Sequence, residues 1–371
     1  MTISHHVAVN LLSVVPGRVG GAEEYATRTL QAFAKHGPAD LHPVLYTVES
    51  FVEMHPDLGK LFDIVVCPIQ GAVRSRRILF ESTWLARKTR NASATHHFGG
   101  RVPLNISRPA AVTVHDLQPL DHPENFSALK AAYLSWAIPR SVKRADLIVA
   151  VSDQVAQRLR QYFPIDPAKV KTVFSGVEQV VTDPANPAST PIILYPAATY
   201  PHKNHLTLIR AFEQVADAHS EIQLVLTGGA GRAETEVVEA IEKSRHRGRI
   251  KRTGRISQEE LNDLMKNSTV VAFPSKYEGF GLPVLEAMAA GVPAIVGAGT
   301  PPAEILDDSE WTVAPEDISG WTSAITRAVS DPNERFRAAR KAIDRANEYK
   351  WEHSAAQLEK VWRQLLSRNS Q

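Results

Sequence analysis

The sequence has little cysteine and no long apolar run. Its 371 residues include one cysteine, Cys67, which cannot form an internal disulfide and stands where a small hydrophobic residue would serve equally well. No apolar window approaches the ~18 residues that a membrane-spanning helix needs. The N-terminal apolar run, residues 7–15, is interrupted by Asn10 and Ser13 and lacks a basic flank, which is typical of a buried strand rather than a signal peptide. The sequence therefore predicts a cytoplasmic protein.

A large excess of charge of either sign is also lacking. Lys plus Arg number 42 and Asp plus Glu 40, so the formal net charge is 42 − 40 = +2, and 43% of the residues are hydrophobic. This composition is ordinary for globular proteins and argues against disorder and against nucleic-acid binding. At roughly 150 residues per domain, the length indicates two sizeable domains.

A proline-rich segment separates two halves of different charge. Residues 1–180 carry 20 Lys or Arg against 15 Asp or Glu, whereas residues 181–371 carry 22 against 25. Between them, residues 180–191 contain three prolines among small polar residues, a composition typical of a domain linker. We therefore expect one domain over residues 1–184 and a second over residues 185–350.

Both halves alternate short β-branched runs with segments of helical periodicity. Examples of the runs are residues 7–12, 64–66, 111–114, 147–151, 192–196, 222–227 and 269–273. This alternation predicts an α/β fold of two doubly wound domains, each with a parallel sheet covered on both faces. Ligands of such folds bind beyond the carboxyl ends of the strands, so the candidate site residues are sought in strand-to-helix turns.

The most informative of these turns lies in residues 273–293, FPSKYEGFGLPVLEAMAAGVP. Gly279 and Gly281 precede a predicted helix, so backbone N–H groups at the helix entrance can meet an anion, and the positive end of the helix dipole favours a phosphate or diphosphate. Glu278 and Glu286 flank this entrance. Because carboxylates repel phosphate, we expect them to accept hydrogen bonds from hydroxyl groups on either side of it, such as those of a sugar and a ribose.

With seven residues between its glutamates, this segment resembles the Glu-x7-Glu signature of the retaining glycosyltransferases of family 4, which have the GT-B fold. Other segments follow in the expected order and extend the resemblance over nearly the whole chain, among them GGAE at 20–23, VHDL at 114–117 and PHKN at 201–204. The resemblance implies two Rossmann-like domains facing across a cleft. It also implies a C-terminal helix, residues 351–371, that crosses back to complete the first domain.

The resemblance implies a role for each matching residue. Glu286 would hold the ribose, Glu278 would hold the donor sugar, and Lys203 would neutralise the diphosphate. His115 would face the donor sugar, so the catalytic candidates are His115, Lys203 and Glu278. His202 stands where many members carry arginine, which makes it a weaker clamp for phosphate. The full set of donor-binding candidates is Gly21, His202, Arg255, Ile256, Tyr277, Gly279, Phe280, Gly281, Leu282 and Glu286.

The implied reaction moves a hexose, with retention of configuration, from a nucleotide sugar to a hydroxyl of a carbohydrate or polyprenyl-linked glycan. The PHKNH sequence at 201–205 resembles that of mannosyltransferases and related transferases of cell-surface polysaccharides, and this resemblance implies GDP-mannose as the donor of a mannose. A UDP- or dTDP-sugar donor, a sugar-nucleotide epimerase and a phosphorylase remain alternatives, and a glycoside hydrolase or a sugar-binding protein would belong to other classes. Since no Asp-x-Asp sequence occurs, we expect no divalent metal and no other cofactor.

Residues 74–90 form a basic segment with six Lys or Arg around a single acid, Glu81. Phe80 and Trp84 stand at helical spacing within it. The segment predicts either a solvated helix face over a packed aromatic pair or contact with an anionic membrane surface. The second interpretation would place the protein at the inner face of the membrane, where a lipid-linked acceptor is met.

Overall fold

The computed structural model describes residues 5–17, 20–71 and 73–368. The chain divides into two compact units, one formed by Met1–Gly176 together with Trp351–Gln371 and the other by Val177–Lys350. Each unit has its own parallel sheet. Among the helices of the described residues, none is long and apolar enough to span a bilayer.

The described part of the first unit contains a parallel sheet of seven strands. The strands are β1 (His5–Asn10), β2 (Leu41–Thr47), β3 (Asp63–Val66), β4 (Ala94–His97), β5 (Ala110–Val114), β6 (Leu147–Ala150) and β7 (Val170–Thr172). Its helices are α1 (Gly21–His36), α2 (Glu49–Met54), α3 (Leu58–Leu61), α4 (Arg74–Phe80), α5 (Ala86–Lys88), α6 (Gln118–Asp121), α7 (Ala128–Arg144), α8 (Asp153–Tyr162) and α16 (Trp351–Ser367), with a π-helical turn, Glu81–Leu85, between α4 and α5. The strand order is β3-β2-β1-β4-β5-β6-β7.

The C-terminal helix α16 packs on the first unit, as the resemblance implies. Its buried residues recur at helical spacing and include Leu358, Trp362 and Leu365. The Trp362 ring lies edge-on to Phe33 of α1, with ring centroids 4.5 Å apart. The indole N–H of Trp362 also donates to Nδ1 of His96 in β4 at 3.0 Å. A polar contact inside an apolar interface of this kind fixes the position of the helix along the sheet.

The second unit is built in the same way around six strands. These are β8 (Ile192–Pro196), β9 (Gln223–Thr227), β10 (Ile250–Gly254), β11 (Val270–Phe273), β12 (Ala294–Gly297) and β13 (Thr312–Val313). The helices are α9 (His205–Ala218), α10 (Glu234–Lys243), α11 (Gln258–Asn267), α12 (Leu282–Ala289), α13 (Pro301–Leu306), α14 (Ile318–Ser330) and α15 (Pro332–Ala346). The strand order is β10-β9-β8-β11-β12-β13.

The segment expected to be the linker is hydrogen-bonded into the second unit. The amide of Val181 donates to the carbonyl of Ala289 and that of Ala185 to the carbonyl of Gly291, both at 2.9 Å. Gly291 has a positive φ of 73°, and a Cβ there would lie 2.8 Å from the carbonyl oxygen of Asp183. Because these backbone contacts hold residues 181–185, the boundary between the compact units falls at 176/177 rather than at 184/185.

The strand order reverses direction once in each sheet. In the first unit the reversal lies between β1 and β4, and in the second between β8 and β11. Loops that leave the carboxyl ends of two such strands turn to opposite sides of the sheet and leave a crevice, which is where open α/β folds bind ligands. The reversal in the second unit is flanked by the loops 197–204 and 274–281, which carry most of the candidate residues.

Candidate active site

The two loops at the reversal point of the second unit are joined by backbone and side-chain hydrogen bonds. The amide of Lys276 donates to the carbonyl of His202 at 2.8 Å. Asn204, at a left-handed φ of 59°, donates through Nδ2 to the carbonyls of Pro274 at 3.2 Å and Pro315 at 2.6 Å. Asparagine tolerates this backbone region better than most residues do, so it can both turn the chain into α9 and hold the neighbouring loop.

This junction brings Lys203 and Glu278 together. Nζ of Lys203 lies 2.5 Å from Oε1 of Glu278, and the two side chains are only 17% and 10% exposed. Nζ also lies 5.6 Å from the centroid of the Phe273 ring. An ion pair shielded from water interacts more strongly than one in bulk solvent. Two of the three catalytic candidates therefore form one charged centre at the carboxyl edge of the sheet.

Tyr195, near the end of β8, holds the backbone of this charged centre through hydrogen bonds. Its hydroxyl donates to the backbone carbonyl of Lys203 at 2.6 Å and lies 3.1 Å from Oγ of Ser275. Because a phenol has one proton, Ser275 is the donor of the second bond. Burial raises the pKa of Tyr195 well above its usual value, so the phenol stays protonated and keeps donating.

The glycines at the entrance of α12 allow a close approach of the backbone. Gly281 is the N-cap residue with a φ of 110°, and a Cβ at this position would lie 2.5 Å from Cγ of Pro302. Pro283 stands in the first turn of α12, where its missing N–H costs little. This local geometry is the one that the sequence predicts, a glycine loop leading into a helix that begins with proline.

The remaining donor-binding candidates of this loop lie on both sides of the helix entrance. Glu286 is in the second turn of α12 and is half-buried. Phe280 is buried, and its ring lies 6.2 Å from that of Tyr349. Tyr277, Gly279 and Leu282 are half-buried. Both glutamates and the two glycines therefore lie within one short segment, residues 278–286, that forms the loop and the start of α12.

Arg255 and Ile256 follow the end of β10, at the edge of the same sheet. A Cβ at Gly229 would lie 3.9 Å from Nη2 of Arg255, so this guanidinium reaches over the loop that follows β9. His202 lies in the 3₁₀ turn Pro201–Lys203 and stacks on Tyr200, with ring centroids 5.8 Å apart and an interplanar angle of 10°. The carboxyl edge of one sheet therefore carries all the candidates of the second unit.

Glycines 228 and 231 serve close packing against the neighbouring loop. Added Cβ atoms would lie 2.5 Å from the carbonyl carbon of Ala197 and 2.5 Å from the carbonyl oxygen of Thr199, respectively. Glu234 accepts hydrogen bonds from Thr199 at 2.5 Å and from Arg252 at 3.0 Å. This polar network fixes the loop between β9 and α10 against the loop after β8.

In the first unit, His115 follows β5. Its Nε2 lies 2.7 Å from the carbonyl of Phe98, so Nε2 carries the proton, and its ring is edge-on to Tyr25 at 5.3 Å. Burial lowers the pKa of His115 to about 4, which keeps the imidazole neutral near pH 7. Gly21 is the first residue of α1, which follows the loop after β1 at the reversal point of this sheet.

Two further buried histidines, His96 and His97, are consecutive residues at the end of β4. His96 lies 2.9 Å from the Thr113 hydroxyl through Nε2 and accepts from Trp362 through Nδ1, and His97 accepts from the Asn10 amide at 3.0 Å. Burial lowers the pKa of each to about 3. Within the described residues, no group of three or more His, Cys, Asp or Glu side chains is placed to hold a metal ion.

Tyr195 and Asn204 hold the site together but are not among the site residues predicted from the sequence. Tyr195 belongs to an apolar strand and is fully buried, so its sequence context is that of any core aromatic residue. Asn204 carries a clearer signal, because an asparagine directly before a helix that follows a strand is typical of a left-handed turn. Neither residue reveals from sequence which carbonyl groups it holds.

Two family models match the chain. The model described as Glycosyltransferase Family 4 matches residues 19–179, and the model described as Glycosyl transferases group 1 matches residues 178–345. Together they span residues 19–345.

Several characterised proteins and solved structures are similar to the chain. The O-antigen chain mannosyltransferase B of Escherichia coli is 25% identical over 307 residues, which cover 77% of this chain and 80% of that protein. The alpha-maltose-1-phosphate synthase of Mycolicibacterium smegmatis is 24% identical over 97% of this chain and 99% of its own. The structure of sucrose-phosphate synthase from Thermosynechococcus elongatus has a TM-score of 0.79 and 21% identity, and covers 98% of this chain and 100% of that one.

Proposed function

The chain belongs to the group 1 glycosyltransferases and has the GT-B fold. On this basis we propose that it transfers a hexose from a nucleotide sugar to a hydroxyl group of a glycan or polyprenyl-linked glycan. The proposed donor is GDP-mannose, from which mannose is transferred. This choice is supported by the similarity to O-antigen chain mannosyltransferases of Escherichia coli and Salmonella typhimurium. The observation that carries the proposal is the shielded pair of Lys203 and Glu278 at the reversal point of the second sheet.

The chemistry of this pair suits a diphosphate leaving group. Lys203 is mostly shielded from water, so its charge acts strongly on a developing negative charge nearby. The N-terminus of α12 adds the positive end of a helix dipole on the other side of the same loops. Glu278 can accept hydrogen bonds from sugar hydroxyl groups, which orients the sugar relative to the bond that breaks.

In the proposed reaction the acceptor oxygen bonds to the anomeric carbon on the face that the diphosphate leaves, so the configuration is retained. The bond between the anomeric carbon and the diphosphate oxygen breaks, and the acceptor's proton passes to the departing phosphate. The protein supplies positions and charge but no covalent nucleophile. Glu286 is proposed to hold the ribose, and Arg255 and Ile256 to lie beside the base.

The proposal includes three further points. His115 and Gly21 are proposed to contribute to donor recognition from the first unit. Transfer is proposed to need no divalent metal or other cofactor, since charge neutralisation would come from Lys203 and the helix entrance. His202 is proposed to assist Lys203 in contacting the diphosphate.

The first test is thermal stabilisation of the protein in the presence of a metal chelator. GDP, UDP, dTDP and ADP, each with its common sugars, are added separately, because a ligand that binds only the folded state raises the Tm. We expect GDP and GDP-mannose to raise the Tm most. A rise with UDP or dTDP alone would replace the proposed donor, and no rise with any nucleotide would contradict the assignment of a nucleotide-sugar site.

A transfer assay then separates the related reactions. Consumption of the donor without an added acceptor would indicate an epimerase or a hydrolase, and dependence on inorganic phosphate would indicate a phosphorylase. The anomeric configuration of the product, measured by NMR, tests retention directly. A product with inverted configuration would contradict the proposed mechanism while leaving the donor assignment intact.

A further inference from the structure

Helix α7 exposes large apolar side chains in its first half. Leu129 is 87% exposed and Trp136 is 53% exposed. Together with Tyr133 they stand at positions i, i+4 and i+7, and therefore share one face of the helix. Residues 128–136, all of them described, include no buried residue, whereas the second half of the helix buries Ala137, Ile138, Ser141 and Val142. The second half anchors the helix, and the first half presents its apolar face outward.

Two guanidinium groups lie against the aromatic rings of this apolar face. The guanidinium of Arg74 lies 4.8 Å from the centroid of the Tyr133 ring, and that of Arg140 lies 5.6 Å from the centroid of Trp136. Arg140 also donates to the carbonyl of Leu104 at 3.1 Å, and Leu104 is 49% exposed. The resulting α7 surface consists of Arg74, Leu104, Leu129, Tyr133, Trp136 and Arg140.

Lys and Arg outnumber Asp and Glu around the α7 surface, although the turn Pro123–Asn125 before α7 carries the exposed acid Glu124. The sequence of α7 contains four Lys or Arg and no Asp or Glu. Arg74 begins the basic segment 74–90, whose single acid, Glu81, lies in the π-helical turn and is only 2% exposed. Glu81 pairs with the buried Arg101 at 2.5 Å. Because this carboxylate is turned into the unit, it does little to offset the basic residues on the outside.

From this arrangement we propose that the α7 surface docks onto an anionic lipid bilayer. Leu129 and Trp136 insert at the boundary between headgroups and acyl chains, and the flanking Lys and Arg side chains contact lipid phosphates. Aromatic rings capped by guanidinium groups suit this boundary, which is apolar on one side and wet on the other. The contact is peripheral, and it does not rest on the proposed transferase reaction.

Cosedimentation of the full chain with vesicles tests the proposal. We expect binding to vesicles of phosphatidylcholine with phosphatidylglycerol, and much weaker binding to phosphatidylcholine alone. Raising the salt concentration should weaken binding, because it screens the attraction between exposed charges. Absence of binding to the anionic vesicles at low salt, or equal binding to both kinds, would overturn the proposal.

Exposed residues allow substitutions that leave the fold intact. The double variant Leu129→Ser/Trp136→Ser should bind anionic vesicles at least about tenfold more weakly, because two apolar side chains lose their burial. Lys143 is exposed in the last turn of α7, beside the α7 surface. Lys143→Glu should weaken binding about fivefold or more, since each basic residue near the bilayer adds to the attraction. The matched controls Phe336→Ser and Lys266→Glu alter exposed residues of the second unit and should bind like the wild type.

Tryptophan fluorescence gives an independent readout. Trp311, Trp321, Trp351 and Trp362 are buried and Trp84 is half-buried against Tyr46. Quenching by brominated lipids should therefore report mainly on Trp136, which is 53% exposed. We expect Trp136→Phe to keep most of the binding and lose most of the quenching. Unchanged quenching in this variant would overturn the proposed insertion. Sedimentation velocity tests whether the α7 surface instead binds a second copy of the chain. A dimer or larger species of the wild type that is absent in the double variant would show this and would overturn the proposal.

Discussion

The hydroxyl of Tyr195 donates a 2.6 Å hydrogen bond to the backbone carbonyl of Lys203, and the same oxygen lies 3.1 Å from Ser275. Tyr195→Phe would leave both partners without this bond, which typically costs about 1–3 kcal/mol in a buried setting. We expect the free energy of unfolding to fall by that amount. We also expect the rate of transfer to fall about tenfold, because Lys203 would no longer be held in position.

A matched variant separates these two effects. Tyr25 is buried in the first unit and donates to the carbonyl of Val173 at 3.0 Å. Tyr25→Phe should lower stability to a similar extent, measured by denaturant unfolding, while the rate of transfer falls much less, because the phenylalanine ring keeps its place against His115. Equal losses of transfer rate in both variants would argue that Tyr195 has no positioning role.

The Lys203–Glu278 pair should show energetic coupling. Lys203→Met is expected to slow transfer by about 10²–10³-fold if this cation stabilises the leaving group. Each single substitution also leaves the other charge poorly solvated, so the double variant Lys203→Met/Glu278→Gln should be more stable than the sum of the single losses predicts. The half-exposed pair Lys276–Glu316 is the control, and its coupling should be near zero.

Glu286 should contribute to nucleotide binding in a way that does not depend on the base. Glu286→Ala is expected to weaken GDP, UDP and ADP alike, by about tenfold or more, because a charged acceptor for the ribose hydroxyl groups is lost. Isothermal titration calorimetry measures this directly. Glu259→Ala, an exposed change on α11, is the control. Unchanged affinity for every nucleotide would contradict the ribose assignment.

Acid should destabilise the first unit more steeply than the second. Burial lowers the pKa of His96 and His97 to about 3 and that of His115 to about 4, against 6.5 in the unfolded chain. As the pH falls from about 6.5 toward 4, these histidines bind protons in the unfolded chain but not in the folded unit. The free energy of unfolding therefore decreases over this pH range. Near pH 5 the three histidines together contribute a slope of about 4 kcal/mol per pH unit.

Denaturant unfolding at several pH values, followed in each unit by a local probe, checks this slope. The second unit contains one comparable histidine, His205, whose pKa is lowered by burial to about 4. The free energy of unfolding of the second unit should therefore change with pH about a third as steeply as that of the first. His96→Gln should remove about a third of the slope of the first unit. Trp362→Phe, which deletes the partner but not the titrating group, should lower stability at every pH and leave the slope nearly unchanged.

The glutamate loop could be predicted from sequence because its determinants are local. Two glycines, a proline and the spacing of Glu278 and Glu286 all lie within a dozen residues, and the structure shows the expected loop and helix. The contact between Lys203 and Glu278 spans 75 residues. It depends on the adjacency of β8 and β11, which are not consecutive along the chain, so composition and periodicity do not reveal it.

The basic segment shows a different limit of sequence analysis. Its helical periodicity predicts a helix over residues 74–90, and the structure has α4 and α5 there. The π-helical turn between them was not predicted; its first residue, Glu81, pairs with the buried Arg101. Arg101 follows β4, so the partner that draws Glu81 inward lies outside the segment. Trp84 faces Tyr46 of β2, with ring centroids 6.2 Å apart, rather than pairing only within its own helix.

The docking of helix α16 on the first unit has a consequence for biosynthesis. A ribosome makes residues 5–176 first, yet the helix that covers β4 and α1 follows only after the whole second unit has been translated. Until then the side chains of Phe33 and His96 lack the Trp362 partner that they have in the finished protein. The second unit, which is continuous in sequence, can complete its fold earlier. The first unit therefore completes its packing only after the residues from Trp351 onward have been translated, and translation pauses before residue 351 would prolong that exposure.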